Sequence, residues 1–305
     1  MNAPRAVPSG SLRIGSRTAH ALLFVTPALW CVNYLVARWA PGVIAPHALA
    51  LGRWTVAALV LALFCRDELL SKRAAIRAEA SRLLVLGALG MWVCGAFVYI
   101  GGQTTTALNI GLLYAVSPVL IAWGSARALH ERLGPAQTAG VVLAVAGVLH
   151  ILVKGRWAAL AEVRFTPGDL WIAVASLCWA AYSLLLRLWP SAFSPVARLT
   201  LIAAAGVLVL LPFSAIEALA GVPTQASWKS LALVLAAGFV PGVFAYGAYS
   251  LMQRELGAAR VGLVLYLGPL YTAVLAWAVL GERIEWHHGV GALLILPGIY
   301  LASRR

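Results

Sequence analysis

Acidic side chains are what this sequence has least of. Only 10 Asp and Glu stand against 23 Lys and Arg in 305 residues, and no carboxylate lies at the middle of an apolar run. A mid-membrane carboxylate is the expected device for binding cations or exchanging protons inside a span, so cation export by that device is disfavoured. Charge of either sign is scarce, 11% of residues against about 25% in an ordinary soluble domain. That leaves too little polar surface to keep a chain of this length in water. The four cysteines, Cys31, Cys65, Cys94 and Cys178, fall inside or at the edge of apolar runs without CxxC spacing. Neither a zinc site nor a disulfide framework is indicated, and small buried hydrophobes are the better reading. No GxxxxGK[ST] phosphate-binding stretch occurs. The polar N-terminus, Met1 to Ala19, has three arginines and no small-residue cleavage site after a short apolar core. Its first apolar run therefore reads as a helix that stays. Five of the six histidines, His20, His47, His130, His287 and His288, sit at span ends and His150 is close to one; none has a carboxylate at metal-ligand spacing. An intramembrane enzyme would need a clustered catalytic set, so neither catalysis, a cofactor nor a metal is expected.

What fills the chain instead is apolar sequence, 62% of residues, which points to lipid as the solvent. A span needs about 20 apolar residues. Such stretches recur at 19–38, 46–65, 83–102, 106–126, 135–153, 168–187, 195–214, 229–250, 258–280 and 286–303. Leu83 to Ala126 has no charge and is long enough to cross twice, with Gly101, Gly102, Gln103 and Thr104–Thr106 marking the turn. The net charge of +13 is not a nucleic-acid footprint, because the basic residues lie in short loops between apolar runs. With the N-terminus inside, fifteen Lys and Arg fall in inner segments and six in outer loops, with Arg53 and Arg198 assigned to helices. That asymmetry places both termini in the cytoplasm. The mixed-sign segment from Arg66 to Arg82 reads as a surface-lying cytoplasmic connection.

The two halves repeat each other. An offset of 151 pairs Gly111 with Gly262, Pro118 with Pro269, Glu131 with Glu282, Gly140 with Gly291 and Gly147 with Gly298. Near the start of each half an offset of 149 pairs Trp30 with Trp179, Pro41 with Pro190 and Pro46 with Pro195. About five spans per half is an odd number, so the second half enters the membrane from the opposite side. Inverted repeats are the architecture that transporters use to alternate access around a midplane site, although an old duplication kept for packing also produces the pattern. The expected organisation is a tail at 1–18, a first five-helix repeat at 19–153, a linker outside the cytoplasm at 154–167 and a second repeat at 168–305.

With "YAVSPVLIAWGSARALHERLG" in one half and "YLGPLYTAVLAWAVLGERIE" in the other, the chain resembles the drug/metabolite transporter superfamily, specifically its EamA-type members. The resemblance implies an all-α membrane protein with ten transmembrane helices in two inverted repeats, around a central cavity lined mainly by the third, fourth, eighth and ninth spans. It implies a secondary transporter of small neutral or zwitterionic metabolites by alternating access. The wealth of Trp and Tyr is similar to YddG-like exporters of aromatic and other neutral amino acids. Multidrug, sugar or nucleoside export within the same superfamily is the alternative. A small-molecule substrate and the bilayer are the implied partners, the protein a monomer or weak homo-oligomer in a bacterial inner membrane. Small multidrug-resistance relatives use a Glu in the first span, where this chain has Trp30, Cys31 and Asn33.

Arg53 stands alone in the second span, where a bare charge costs about 2.5–3.5 kcal/mol on insertion scales. EamA-type proteins often carry an Arg at this place. It is read either as a contact for a substrate carboxylate or as a structural Arg capping carbonyls near the interface. The other candidate binding residues are Trp30, Asn33, Trp92, Tyr99, Gln103, Asn109, Tyr114, Ser117, Trp179, Tyr182, Tyr246, Tyr249 and Tyr266. Tyr and Trp give flat apolar walls with one hydrogen-bonding edge, which suits a small amphipathic solute, and the competing role for each is helix packing. Trp39, Trp157, Trp189, Trp228 and Trp286 lie near span ends as belt residues. Pro118, Pro241 and Pro269, with Gly111 and Gly262, mark places where helices could bend. Glu131 and Glu282, past the ends of the fourth and ninth spans, read as structural bracing.

Overall fold

A computed structural model describes residues 15–105, 110, 113, 114, 116–128, 134–280 and 283–303. Ten helical rods run through the described residues: α1 (Ser16–Trp39), α2 (Pro46–Ser71), α3 (Arg73–Gly101), α4 (Ser117–Ala128), α5 (Pro135–Leu152), α6 (Pro167–Leu188), α7 (Pro195–Leu219), α8 (Trp228–Leu256), α9 and α10 (Trp286–Ser303). The ninth is composite, with α-helix at Ala258–Gly262, a tighter 3₁₀ stretch at Leu263–Leu267 and α-helix again at Gly268–Leu280. Seven of the ten are long and apolar enough to cross a membrane. Their outward faces are those of a chain in lipid, with Leu63 and Phe64 both 78% exposed and Leu293 75% exposed.

Local chemistry sets the helix starts. Proline opens α2, α5, α6 and α7, where a missing N–H costs nothing and the fixed φ suits the first turn. Ser194 accepts from the Ala197 N–H at 3.3 Å, and Asp169 accepts from the Thr166 N–H and the Thr105 hydroxyl. The turn expected at residues 101–105 is present, with the Thr104 and Thr105 N–H groups on the Gly101 carbonyl at 3.1 and 3.0 Å.

The mixed-sign segment 66–82 is not a separate surface connection. It continues α2 to Ser71 and begins α3 at Arg73, with Lys72 as the joint at φ −110° and ψ 32°. Helix formers dominate there, and Glu68 both pairs with Lys72 at 2.8 Å and accepts from the Ser194 N–H at 2.8 Å. The corner is thus tied to the α6–α7 connection, and Lys72 also donates to the Ala192 carbonyl at 2.6 Å. We call this the near end of the bundle. At the far end, the loop after α1 meets the loop after α7 through Gln225 N–H to Val43 O at 2.8 Å. His47 and Glu217 close the same end at 2.7 Å.

Repeat mates pack on each other. The α2 and α7 rods run together, as do α5 and α10. Lipid supplies no hydrophobic drive between helices, so close backbone approach must hold the second pair. A Cβ on Gly140 would sit 2.5 Å from the Ala302 nitrogen and the Gly298 oxygen, and one on Gly298 would sit 2.7 Å from Ala144 N. Pro118 and Pro269 are each the second residue of an α-helical segment rather than interruptions of a continuous helix. Pro269 follows the 3₁₀ stretch, which absorbs its missing N–H. Pro241 lies inside a wide π-helical stretch, Gly238–Ala245, in α8; its counterpart in α3 is Ala88–Val93.

Candidate functional site

Six aromatic residues from four helices meet at the centre: Trp30 of α1, Trp54 of α2, Trp179 and Tyr182 of α6, Tyr246 and Tyr249 of α8. The repeat mates Trp30 and Trp179 touch edge-to-face at 5.5 Å between ring centroids, so they lie where the two halves join. Tyr246 closes on Trp54 at 4.8 Å and on Trp179 at 5.6 Å, and Tyr249 lies 5.1 Å from Trp179 and 5.5 Å from Trp30. These rings pack against one another in a closed box.

Arg53 forms one wall. It is 3% exposed, with its guanidinium 4.6 Å from the centroid of Trp54 and 5.6 Å from that of Tyr246. Its Nη1 donates to Asn33 Oδ1 at 3.3 Å, and the Tyr99 hydroxyl donates to the same oxygen at 2.6 Å. A desolvated cation over aromatic faces is stabilised by about 2 kcal/mol, but a guanidinium is matched best by a carboxylate, and among the described residues none is paired with it. Close approach to this wall depends on small residues: a Cβ on Gly90 would lie 2.7 Å from the Tyr182 ring. Tyr246, the residue after the π stretch of α8, donates its hydroxyl to the Gly90 carbonyl within the π stretch of α3 at 3.3 Å.

The box holds more donors than acceptors. Arg53 Nε, Trp54 Nε1, Trp179 Nε1 and the Tyr182 hydroxyl are buried without a hydrogen-bond partner among the described residues. Each such group costs about 1–3 kcal/mol relative to a satisfied one. Buried polar groups left unsatisfied call for an explanation, and acceptor atoms of a bound solute would supply one.

Toward the near end, a second polar cluster seals the box. Tyr249 and Ser183 share a hydrogen bond at 2.7 Å, and Gln253 Nε2 donates to the Tyr249 hydroxyl and the Ser183 carbonyl, both at 3.2 Å. Tyr249 and Gln253 occupy the places in the second half that Tyr99 and Gln103 occupy in the first. Tyr99 bonds Asn33 toward the far end, while Gln103 is exposed in the turn after α3. Below Gln253 opens a pocket of about 310 Å³ between the ends of α6, α7 and α8.

The sequence-selected residues thus divide. Trp30, Asn33, Arg53, Tyr99, Trp179, Tyr182, Tyr246 and Tyr249 converge. Trp92 stands in a different stack, 4.1 Å from Phe213 and edge-on to Phe97 at 5.6 Å. Tyr266 is buried in the core between α5, α9 and α10. Ser117 pairs with Ser176 at 2.7 Å, and Tyr114 is half-buried before α4. Asn109, Gly111, Glu131 and Glu282 lie outside the described residues. The rings come from α1, α2, α6 and α8, whereas the family resemblance led to the third, fourth, eighth and ninth spans. Sequence reasoning missed Trp54, which sits beside Arg53, and Gln253, whose pairing with Tyr249 repeats the Tyr–Gln spacing of the first half.

A duplicated bundle of membrane-length helices around such a centre defines an integral membrane protein of carrier architecture. The model of the EamA-like transporter family matches twice, at residues 17–153 and 166–304. An uncharacterised transporter of Bacillus subtilis, YyaM, is 26% identical over 89% of this chain and 88% of its own. Another, of Archaeoglobus fulgidus, is 26% identical over 94% of this chain and 97% of its own. A probable terminal-alkyne amino-acid exporter of Streptantibioticus cattleyicolor is 25% identical over 92% of this chain and 95% of its own. A solved crystal structure, 20% identical, superposes with a TM-score of 0.73 over 94% of this chain and 97% of that one, which establishes the fold. The chain belongs to the EamA-like transporter family, and is a multi-pass membrane transporter rather than an enzyme.

Proposed function

We propose that this transporter exports small zwitterionic or neutral metabolites, amino acids foremost, by alternating access around the aromatic box. The observation that carries the reading is the buried guanidinium of Arg53, paired with no carboxylate among the described residues, beside rings whose Trp54 Nε1, Trp179 Nε1 and Tyr182 hydroxyl are likewise buried without partners there. A substrate carboxylate supplies the acceptors Arg53 needs, and Trp30, Trp54, Trp179 and Tyr246 supply flat walls for an apolar side chain. The likeness to a probable amino-acid exporter supports the same class. The excess of Lys and Arg in the near-end segments supports a near end in the cytoplasm, both termini with it, and a bacterial inner membrane as the setting.

Opening requires the rings to part. Pro118, Pro241, Gly262 and Pro269 stand at segment junctions or in the π stretch, where few backbone bonds need to break. The Tyr99–Asn33–Arg53 cluster closes the path toward the far end and the Ser183–Tyr249–Gln253 cluster toward the near end. Movement down a solute gradient needs no titrating carboxylate at the midplane, consistent with a sequence that has none there.

Uptake of labelled amino acids into proteoliposomes, alongside nucleosides, sugars and cationic dyes, tests this reading. Saturable flux of aromatic or branched amino acids is expected. Flux of cationic dyes alone would refute it.

A further inference from the structure

The caps of α2 and α7 cross between the two halves. Glu68 lies in the last turn of α2 and Glu217 in the last turn of α7, 149 residues apart, the offset that pairs the starts of the halves. A carboxylate at the end of its own helix opposes that helix's dipole. Each of these is placed instead at the start of the other helix. Glu217 accepts from the His47 and Ala48 N–H groups at 2.9 and 3.2 Å and pairs with the His47 ring at 2.7 Å. Ala45, the N-cap residue of α2, makes no side-chain cap of its own. Glu68 accepts at 2.8 Å from the N–H of Ser194, the N-cap residue of α7. Two antiparallel rods, one from each half, are therefore tied together at both ends.

The first segments of α3 and α8 are fixed to this pair. In α3, Arg73–Gly87 packs on α7, and a Cβ on Gly87 would lie 2.6 Å from the Gly206 nitrogen. Glu79 of the same segment accepts from the Ser191 hydroxyl at 2.7 Å and the Ala192 N–H at 2.8 Å, in the loop before α7. In α8, Trp228–Ala237 packs on α2, and a Cβ on Gly52 would lie 2.9 Å from Val234. The Ser230 hydroxyl of that segment donates to the Val43 carbonyl at 3.3 Å, in the loop before α2. Beyond the π stretches both rods change partners. Cys94–Gly101 packs chiefly on α6, where a Cβ on Gly101 would lie 2.8 Å from the Gly168 carbonyl, and Tyr246–Leu256 packs chiefly on α1. Each π stretch thus sits where its rod passes from one set of neighbours to another.

We propose that α2, α7 and the first segments of α3 and α8 form a static frame drawn from both repeats, and that α1, α6 and the segments beyond the π stretches turn against it. The proposal rests on alternating access as the mode of transport, and on no particular solute. Rocking of one whole repeat against the other has to part α2 from α7 and break the carboxylate caps at one end. The π stretches are the joints of the frame, irregular turns of the kind that recur at functional sites, and Pro241 in the second leaves a carbonyl without its helical N–H. Arg198 of α7 donates to the Leu186 carbonyl at 2.7 Å and the Trp189 carbonyl at 2.8 Å, which tethers α6 to the frame at its near end. The frame carries Arg53 and Trp54, while the moving parts carry Trp30, Tyr99, Trp179 and Tyr249. Opening therefore draws the rings off a stationary guanidinium.

The test replaces both caps by covalent bridges in full-length protein whose four native cysteines are changed to alanine. His47→Cys with Glu217→Cys at the far end, and Glu68→Cys with Ser194→Cys at the near end, are joined by a short bifunctional methanethiosulfonate and reopened with dithiothreitol as the control. With both bridges closed, L-phenylalanine flux into liposomes is expected to stay within about twofold of the reopened protein, since the frame does not part in either state. A larger fall with either bridge overturns the frame. Absence of L-phenylalanine flux in the reopened protein and in the wild type counts against the amino-acid reading alone. The frame is then decided by electron–electron distances between nitroxides at exposed positions in ligand-free protein. Arg66→Cys with Leu219→Cys, at opposite ends of the α2–α7 pair, should give one narrow distance. Leu219→Cys with Thr104→Cys, in the turn after the second segment of α3, should show a second population. Two populations across the α2–α7 pair, or a Thr104 distribution as narrow as that of the pair, overturns the proposal.

Discussion

Replacing Arg53 by Ala removes one charge from the wall of the box, and the geometry fixes what should follow. Arg53 now has a single neutral acceptor at 3.3 Å and two aromatic faces at 4.6 and 5.6 Å. Those contacts stabilise the folded protein by about 1–3 kcal/mol together. Holding the charge away from water costs about 2.5–3.5 kcal/mol, so the variant should unfold at the same temperature as the wild type or slightly higher. Binding responds in the opposite sense. A carboxylate on Arg53 makes a charge-assisted hydrogen bond that stabilises by about 1.5–3 kcal/mol, which corresponds to about 10- to 150-fold in Kd. Calorimetric titration of purified protein with L-phenylalanine should show that loss in Arg53→Ala, while phenylethylamine, which has no carboxylate, binds both forms equally. Arg53→Lys should fall between, retaining charge without the planar fork. Undiminished L-phenylalanine affinity in a well-folded Arg53→Ala variant would refute the assignment, as would an equal loss for phenylethylamine.

Two further expectations concern the frame. Gly140→Ala places a Cβ 2.5 Å from two backbone atoms of α10; neither can turn aside, so α5 and α10 must separate, and thermal unfolding should report a loss of about 1–3 kcal/mol. Glu217→Ala removes the acceptor for the His47 N–H at 2.9 Å, the Ala48 N–H at 3.2 Å and the His47 ring at 2.7 Å. Leaving those first-turn donors of α2 unpaired should cost about 1–3 kcal/mol, and Glu217→Gln should recover part of it; an unchanged melting temperature in Glu217→Ala would show that water caps the helix equally well.

Residue spacing revealed the duplication because glycine and proline positions are local and the two halves keep them in step. The same spacing brought Trp30 and Trp179 to the centre, since repeat mates near a pseudo-two-fold axis meet each other. Facing was harder to read. A helix that is apolar all round gives no periodic signal for which side turns inward, so Trp92 and Tyr266 passed for central residues although one stacks on Phe213 and the other fills the α5–α9–α10 core. Trp54 was overlooked for the same reason. His47 and Glu217 are 170 residues apart, and nothing in either neighbourhood announces the other. Arg198, a lone basic residue assigned to a helix, became interpretable only once the end of α6 was seen beneath it.

The paired π stretches in α3 and α8 have a consequence for motion. Each widens a helix that is otherwise α to i→i+5 bonding, a local insertion found frequently at functional sites. Dissolving it would rotate every side chain beyond it by about 100°. Tyr99 would swing away from Asn33, or Tyr249 away from Ser183, with the helix axes nearly stationary. The carrier could then unlatch one mouth at a time by screwing a single rod, without tilting a whole half of the bundle.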